Sequence, residues 1–162
     1  MPELQPLRAD HADALLTFEQ DNRGYFAASV PDRGDAYFRE FAVRHTANLA
    51  EQAEGTLRMH VLVTAEGEIL GRFNLFDLAD GSAELGFRLA AHATGRGLAT
   101  EAVRRLFTLA REDYGLTRIT AAAEPGNQAS RAVLQRTGFH PTGTTTRSGR
   151  PCVTYAKTLD GA

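Results

Sequence analysis

One cysteine in 162 residues, Cys152, leaves no partner for an internal disulfide, and a reducing compartment is the simplest setting for such a chain. A basic excess is also lacking: 18 Lys+Arg face 20 Asp+Glu, for a net charge of −2. A surface that tracks phosphates regardless of base sequence normally carries a positive surplus, so no nucleic-acid partner is expected. No apolar run is long enough to span a bilayer, and the polar stretch from Met1 to Asp10, broken by Pro2 and Pro6, has no signal-peptide core. The expectation is therefore no membrane partner and a cytoplasmic protein. The five histidines, His11, His45, His60, His92 and His140, show no ligand spacing such as H-E-x-x-H, so no metal site is expected. Internal repeats and linkers are absent as well.

What is present suits one domain over residues 1–162. The chain is 43% hydrophobic and 23% charged, and a domain of roughly 150 residues can bury about 68–70% of its unfolded-chain surface. A short strand is predicted over Leu4 to Arg8, then a helix capped by Asp10 with Asp13 in its first turn. Asn22 to Asp35, which holds Gly24, Pro31 and Gly34, reads as an irregular connection. A second helix is expected from Asp35 to Ala53, where Tyr37, Phe38, Phe41, Ala42, His45 and Leu49 recur at helical spacing, with Gly55 ending it. Three strands follow, Leu57 to Ala65, Ile69 to Leu78 and Ser82 to Ala90, joined by Glu66-Gly67 and Asp80-Gly81 turns into an antiparallel meander. A long helix over Leu98 to Tyr114 leads to a strand over Thr117 to Glu124, parallel to the Ser82 strand. Pro125-Gly126-Asn127 then turns into a short helix ending at Thr137 with Gly138 beyond it, and two strands close the chain around Gly149. The fold class is α/β (α+β): a mixed sheet of six to seven strands with about four helices.

Between the Ser82 strand and the long helix stands Ala93-Thr94-Gly95-Arg96-Gly97. Glycines at a helix N-terminus let backbone N–H groups converge on an anion that the helix dipole also favours. Arg96 either contacts that anion or points to solvent, and the same glycines would serve a plain tight turn. No G-x-x-x-x-G-K-[ST] is present. A dinucleotide fingerprint would need glycine at position 100, where Thr100 stands, in a parallel βαβ unit rather than after a meander.

Two linked motifs resemble the GNAT acetyltransferase superfamily, especially its branch of ribosomal-protein-alanine N-acetyltransferases. Glu84-Leu85-Gly86-Phe87-Arg88-Leu89 leads to Gly95-Arg96-Gly97-Leu98-Ala99-Thr100-Glu101-Ala102. Asn127-Gln128-Ala129-Ser130-Arg131-Ala132-Val133-Leu134 leads to Gly138-Phe139. The resemblance implies acetyl-CoA as cosubstrate and a splay between the Ser82 strand and the strand ending at Glu124. It implies that Phe87, Arg88 and Leu89 flank the pantetheine arm, that the loop Thr94, Gly95, Arg96, Gly97, Leu98, Ala99 and Thr100 cradles the pyrophosphate, and that Asn127 bonds the pantetheine. The family often has Gln or Arg where this chain has Thr94, which removes a side-chain contact but leaves the N–H cradle.

Acetyl transfer to an amine requires a neutral nitrogen, support for a developing oxyanion and a proton for the departing thiolate. Glu84 is the candidate base, directly or through water; an outward carboxylate beside a turn would look the same in sequence. His60 and Glu68 are weaker candidates. Many members of the superfamily carry a tyrosine acid seven residues after the asparagine, where this chain has Leu134; the resemblance assigns the role to Ser130, and water or Tyr155 on the final strand is the next candidate. Asn127 also suits an N-cap bonding Ser130. Cys152 and His45 read as core residues. Tyr25 and Phe26 read as core or as lining of an acceptor cleft. The expected function is acetyl transfer from acetyl-CoA to a primary amine, foremost a protein N-terminus, by a monomer or homodimer. The alternatives are a small amine or amino-acid-like acceptor, or a non-catalytic acyl-CoA sensor.

Overall fold

The computed structural model describes residues 2–159; Met1 and residues 160–162, the ends of the expected domain, lie outside the described residues. A seven-stranded sheet runs in the order β1-β2-β3-β4-β5-β7-β6. Its strands are β1 (Glu3–Pro6), β2 (Arg58–Val63), β3 (Ile69–Ala79), β4 (Ser82–Leu89), β5 (Arg118–Ala123), β6 (His140–Arg147) and β7 (Arg150–Thr158). Every neighbouring pair is antiparallel except β4–β5. The parallel pair follows from the crossover between those strands, because a helix must carry the chain back to start the next strand in the same direction.

That crossover helix is α5 (Leu98–Glu112). Its Ala99, Ala102, Val103, Leu106 and Ala110 are buried at the i, i+3, i+4, i+7 spacing of one helix face. They join Phe73, Leu75, Leu85 and Ile119 from the sheet in one core cluster. Helix α6 (Gln128–Arg136) packs beside α5 through Val133 and Leu134. Its C-cap is Thr137, and Gly138 takes a left-handed φ of 95° just past the end, as the sequence predicts.

The N-terminal half departs from expectation in three places. Asp10 lies inside a 3₁₀ turn over Ala9–His11 rather than capping a helix, and α1 (Ala12–Asp21) starts after His11. The His11 ring anchors that turn, its Nδ1 accepting from the Arg8 N–H at 2.9 Å. The irregular connection contains a short helix, α2 (Arg23–Ala27), whose Phe26 is buried beside Phe18. Finally, the helix expected from Asp35 is two, α3 (Asp35–Arg39) and α4 (Phe41–Glu54), broken where Glu40 adopts φ −102° and ψ 16°. Apolar periodicity ran unbroken through the kink, because Tyr37 and Phe41 both face the core. The described residues therefore hold six α-helices, not four.

Several further readings hold. Gly55, at φ 90°, ends α4. His45 is buried, stacks on Phe41 and bonds the Arg8 carbonyl at 3.0 Å. Cys152 is buried in β7.

Candidate active site

Strands β4 and β5 pair only at Ser82↔Arg118, Ala83↔Ile119 and Glu84↔Thr120. Beyond Glu84, β4 stays bonded to β3 as far as Leu89, and β5 stays bonded to β7 as far as Ala123. The two strands thus diverge, and residues 85–89 of β4 turn an unpaired backbone edge toward the gap. Buried N–H and C=O groups need partners. An open edge inside a fold is therefore suited to an extended, amide-bearing ligand.

At the mouth of the gap sits the glycine loop. Gly95 and Gly97 take left-handed φ values of 78° and 73°, and a Cβ at either position would meet no atom within 4 Å. Gly97 is the N-cap of α5 and supplies no capping side chain. The N–H groups of Leu98, Ala99 and Thr100 consequently open the helix without intrahelical acceptors; the first helical bond runs from the Glu101 N–H to the Gly97 carbonyl, at 3.1 Å. The loop is held from behind, where the Asn22 side chain accepts from the Ala91 N–H at 3.0 Å and donates to the Phe18 carbonyl at 2.9 Å. The Thr94 hydroxyl is spent on the Ala91 carbonyl at 2.8 Å. Together these groups form an anion cradle of backbone donors at a helix N-terminus.

Gap and cradle open into one cavity of about 430 Å³. From β4 it is lined by Phe87, Arg88 and Leu89, and from the loop and α5 by Thr94, Gly95, Gly97, Leu98, Ala99 and Thr100. Asn127 and Ser130 line it from the start of α6. The Asn127 side chain accepts from the Ser130 N–H at 3.2 Å, the N-cap bond expected there. Among the described residues the Ser130 hydroxyl makes no protein hydrogen bond, so it is available to a ligand.

Two sequence-predicted residues fall outside this lining. Arg96 is exposed and does not line the cavity. Glu84 stands at the vertex of the splay, and both its oxygens are held by Arg147, with Nη1 on Oε2 at 2.8 Å and Nη2 on Oε1 at 2.9 Å. The weaker candidates are placed elsewhere. His60 is buried, bonding the Phe73 carbonyl and, at 2.6 Å, the Tyr114 hydroxyl; burial lowers its pKa to about 4. Glu68 pairs with His92 at 3.3 Å in a different depression. Tyr155 is bonded by Arg131 at 3.2 Å and lines a separate depression behind α6. Leu134 is core.

Sequence reasoning missed one wall. Ser29 and Val30, after α2, line the cavity together with Tyr25 and Phe26. Only the two aromatics carried a signal. Arg88 joins that wall to the sheet, its guanidinium lying 4.4 Å from the centre of the Phe26 ring and bonding Glu19 at 3.0 Å. Glu19 is 1% exposed and also takes Arg72 at 2.8 Å and Arg33 at 3.3 Å. Burial alone would raise its pKa, but the three guanidiniums outweigh that and hold it below the usual carboxylate range.

The family profile of the Acetyltransferase (GNAT) domain matches residues 3–140. The putative ribosomal N-acetyltransferase YdaF of Bacillus subtilis is 33% identical over 144 residues, covering 84% of this chain and 74% of that protein. The ribosomal-protein-S5-alanine acetyltransferase of Vibrio fischeri superposes with a TM-score of 0.91 at 20% identity, over 98% of this chain and 93% of that one. RimJ of Mycobacterium smegmatis, solved with CoA-disulfide, gives 0.86 at 25% identity, over 96% of this chain and 80% of that one. The splayed parallel pair and the glycine cradle both lie within the matched residues. The chain belongs to the GNAT acetyltransferase family.

Proposed function

We propose that this chain is a single-domain enzyme that moves an acetyl group from acetyl-CoA to the α-amine of a protein or peptide N-terminus. The observation that carries the reading is the convergence, in one cavity, of the open β4 edge, the uncapped start of α5 and the Ser130 hydroxyl. The cosubstrate supplies an activated thioester acyl group. The cavity fits it piece by piece: β4 offers an extended arm backbone partners, and the loop from Thr94 to Thr100 offers its pyrophosphate N–H donors. Arg96, exposed, adds a cation at the cradle's rim. RimJ, the relative solved with CoA-disulfide, supports the same ligand class.

Nitrogen attacks the acyl carbon and the C–S bond breaks as the C–N bond forms. Glu84 accepts the proton lost from nitrogen, directly or through water, and the Ser130 hydroxyl supports the sulfur as it takes up negative charge. An α-amine, with pKa near 8, is about one-tenth neutral at pH 7, whereas a lysine amine near 10.4 is less than about one-thousandth neutral. A site whose base carboxylate is encumbered by Arg147 suits the first far better than the second. YdaF, a putative ribosomal N-acetyltransferase, supports a protein acceptor. The lone, buried Cys152 supports a reducing, cytoplasmic setting. A panel of peptide N-termini, polyamines and amino acids incubated with labelled acetyl-CoA tests the proposal. Label should appear on peptide α-amines; label only on polyamines or amino acids would overturn the acceptor.

A further inference from the structure

The vertex of the splay is closed over by the β6–β7 hairpin. Its tip, Ser148-Gly149, turns with positive φ at both residues. Arg147, just before the turn, clasps Glu84 on β4; Arg150, just after it, bonds Glu124 beyond β5 at 3.2 Å. One hairpin therefore reaches a carboxylate on β4 and another just past the end of β5. The Arg147 clasp takes both oxygens of Glu84. An amine that pairs with the same two oxygens competes there with a guanidinium.

We propose that Arg147 is an internal competitor for the acceptor amine at Glu84, and thereby sets how tightly the acceptor is held. The inference rests on the reading of Glu84 as the carboxylate that meets the acceptor. An ammonium and a guanidinium are both cationic N–H donors to a carboxylate, so one can replace the other without leaving Glu84 unpaired. The exchange is cheap here for a reason visible in the burial. Where Arg72 is 5% exposed beside Glu19, the Arg147 side chain is 50% exposed and that of Glu84 29%. A pair this wet opens readily. Closure reduces apparent acceptor affinity by the open fraction, which for such a pair is about a two- to sixfold effect.

The test is calorimetric binding of a hexapeptide with a free alanine N-terminus to the full chain with CoA bound, at pH 7, where no turnover occurs. Arg147→Ala and Arg147→Gln should each bind the peptide about two- to sixfold more tightly than wild type. In a Glu84→Gln background the same Arg147 substitutions should change nothing, because the contested carboxylate is gone. Equal or weaker binding by the Arg147 variants, or a tightening that persists without Glu84, overturns the proposal. Failure of Glu84 as the base is read separately, in a Glu84→Gln enzyme that keeps the wild-type kcat; the competition, read in Kd, would stand.

Discussion

Gly97→Val tests the cradle. Gly97 is the N-cap of α5 at φ 73°, where an L-residue costs roughly 1–2 kcal/mol and a β-branched one more. The cost is conformational, since no protein atom lies within 4 Å of the position a Cβ would take. In a domain of this size, 1–2 kcal/mol corresponds to a fall in Tm of about 2–8 °C, so the variant should remain folded at 25 °C. Ligand binding should suffer in addition. In the proposed binding mode, pyrophosphate oxygens approach the N–H groups of Leu98, Ala99 and Thr100 through the open space at Gly97, which valine would fill. CoA affinity by titration calorimetry should therefore fall at least tenfold, or about 1.4 kcal/mol. Gly149→Val, at a similar φ of 74° in the β6–β7 turn outside the cavity lining, should lower Tm comparably and leave CoA affinity near wild type. A folded Gly97→Val that binds CoA as wild type does would remove the loop from the site.

Four other outcomes are expected. Glu84→Gln should lower turnover about 10²-fold if the carboxylate is the general base, and the loss should shrink as assay pH rises and the amine deprotonates unaided; a pH-independent loss would leave Glu84 a binding group. Ser130→Ala should leave Tm unmoved and lower kcat tenfold or more with CoA affinity intact; wild-type kcat with chemistry rate-limiting would exclude the hydroxyl. Asn127→Ala should lower stability by about 1 kcal/mol through the lost cap and raise the KM for acetyl-CoA beyond what unfolding explains, and a change in stability alone would confine Asn127 to capping. His60, with its folded pKa lowered to about 4 from 6.5, remains neutral in the fold while the unfolded chain binds a proton. Its contribution is complete above pH 6.5 and is lost as pH falls toward 4, by about 3 kcal/mol at the lower end; denaturant titrations of His60→Gln should show a flatter pH dependence across that window, and an unchanged slope would contradict it.

How much could be read in advance depended on where each signal resides. The meander, the crossover and the parallel pair were legible because period, turn glycines and element order are local properties of the chain. The cradle was legible for the same reason: Gly95 and Gly97 stand beside a helix start in sequence as in space. The breaks around Asp10 and Glu40 were not, because apolar spacing persists through them and only backbone angles change. The wall of Ser29 and Val30 carries no motif, since it is placed by Phe26 packing on Phe18. Least legible was the Glu84–Arg147 clasp, which joins residues 63 positions apart. Two charged side chains at that separation look, in sequence, like any other solvated pair.

Acetyl transfer is told apart from mere CoA binding by mass spectrometry of a single-turnover reaction. Enzyme in excess over acetyl-CoA carrying a labelled acetyl group is mixed with peptides bearing free alanine or serine N-termini, and products are fragmented to locate the label. Acetyl transfer predicts label on the α-amine, one free CoA thiol for each acetyl moved, and loss of both in Gly97→Val. Tight CoA binding with every acetyl group still on its thioester would contradict it and leave the fold as a sensor.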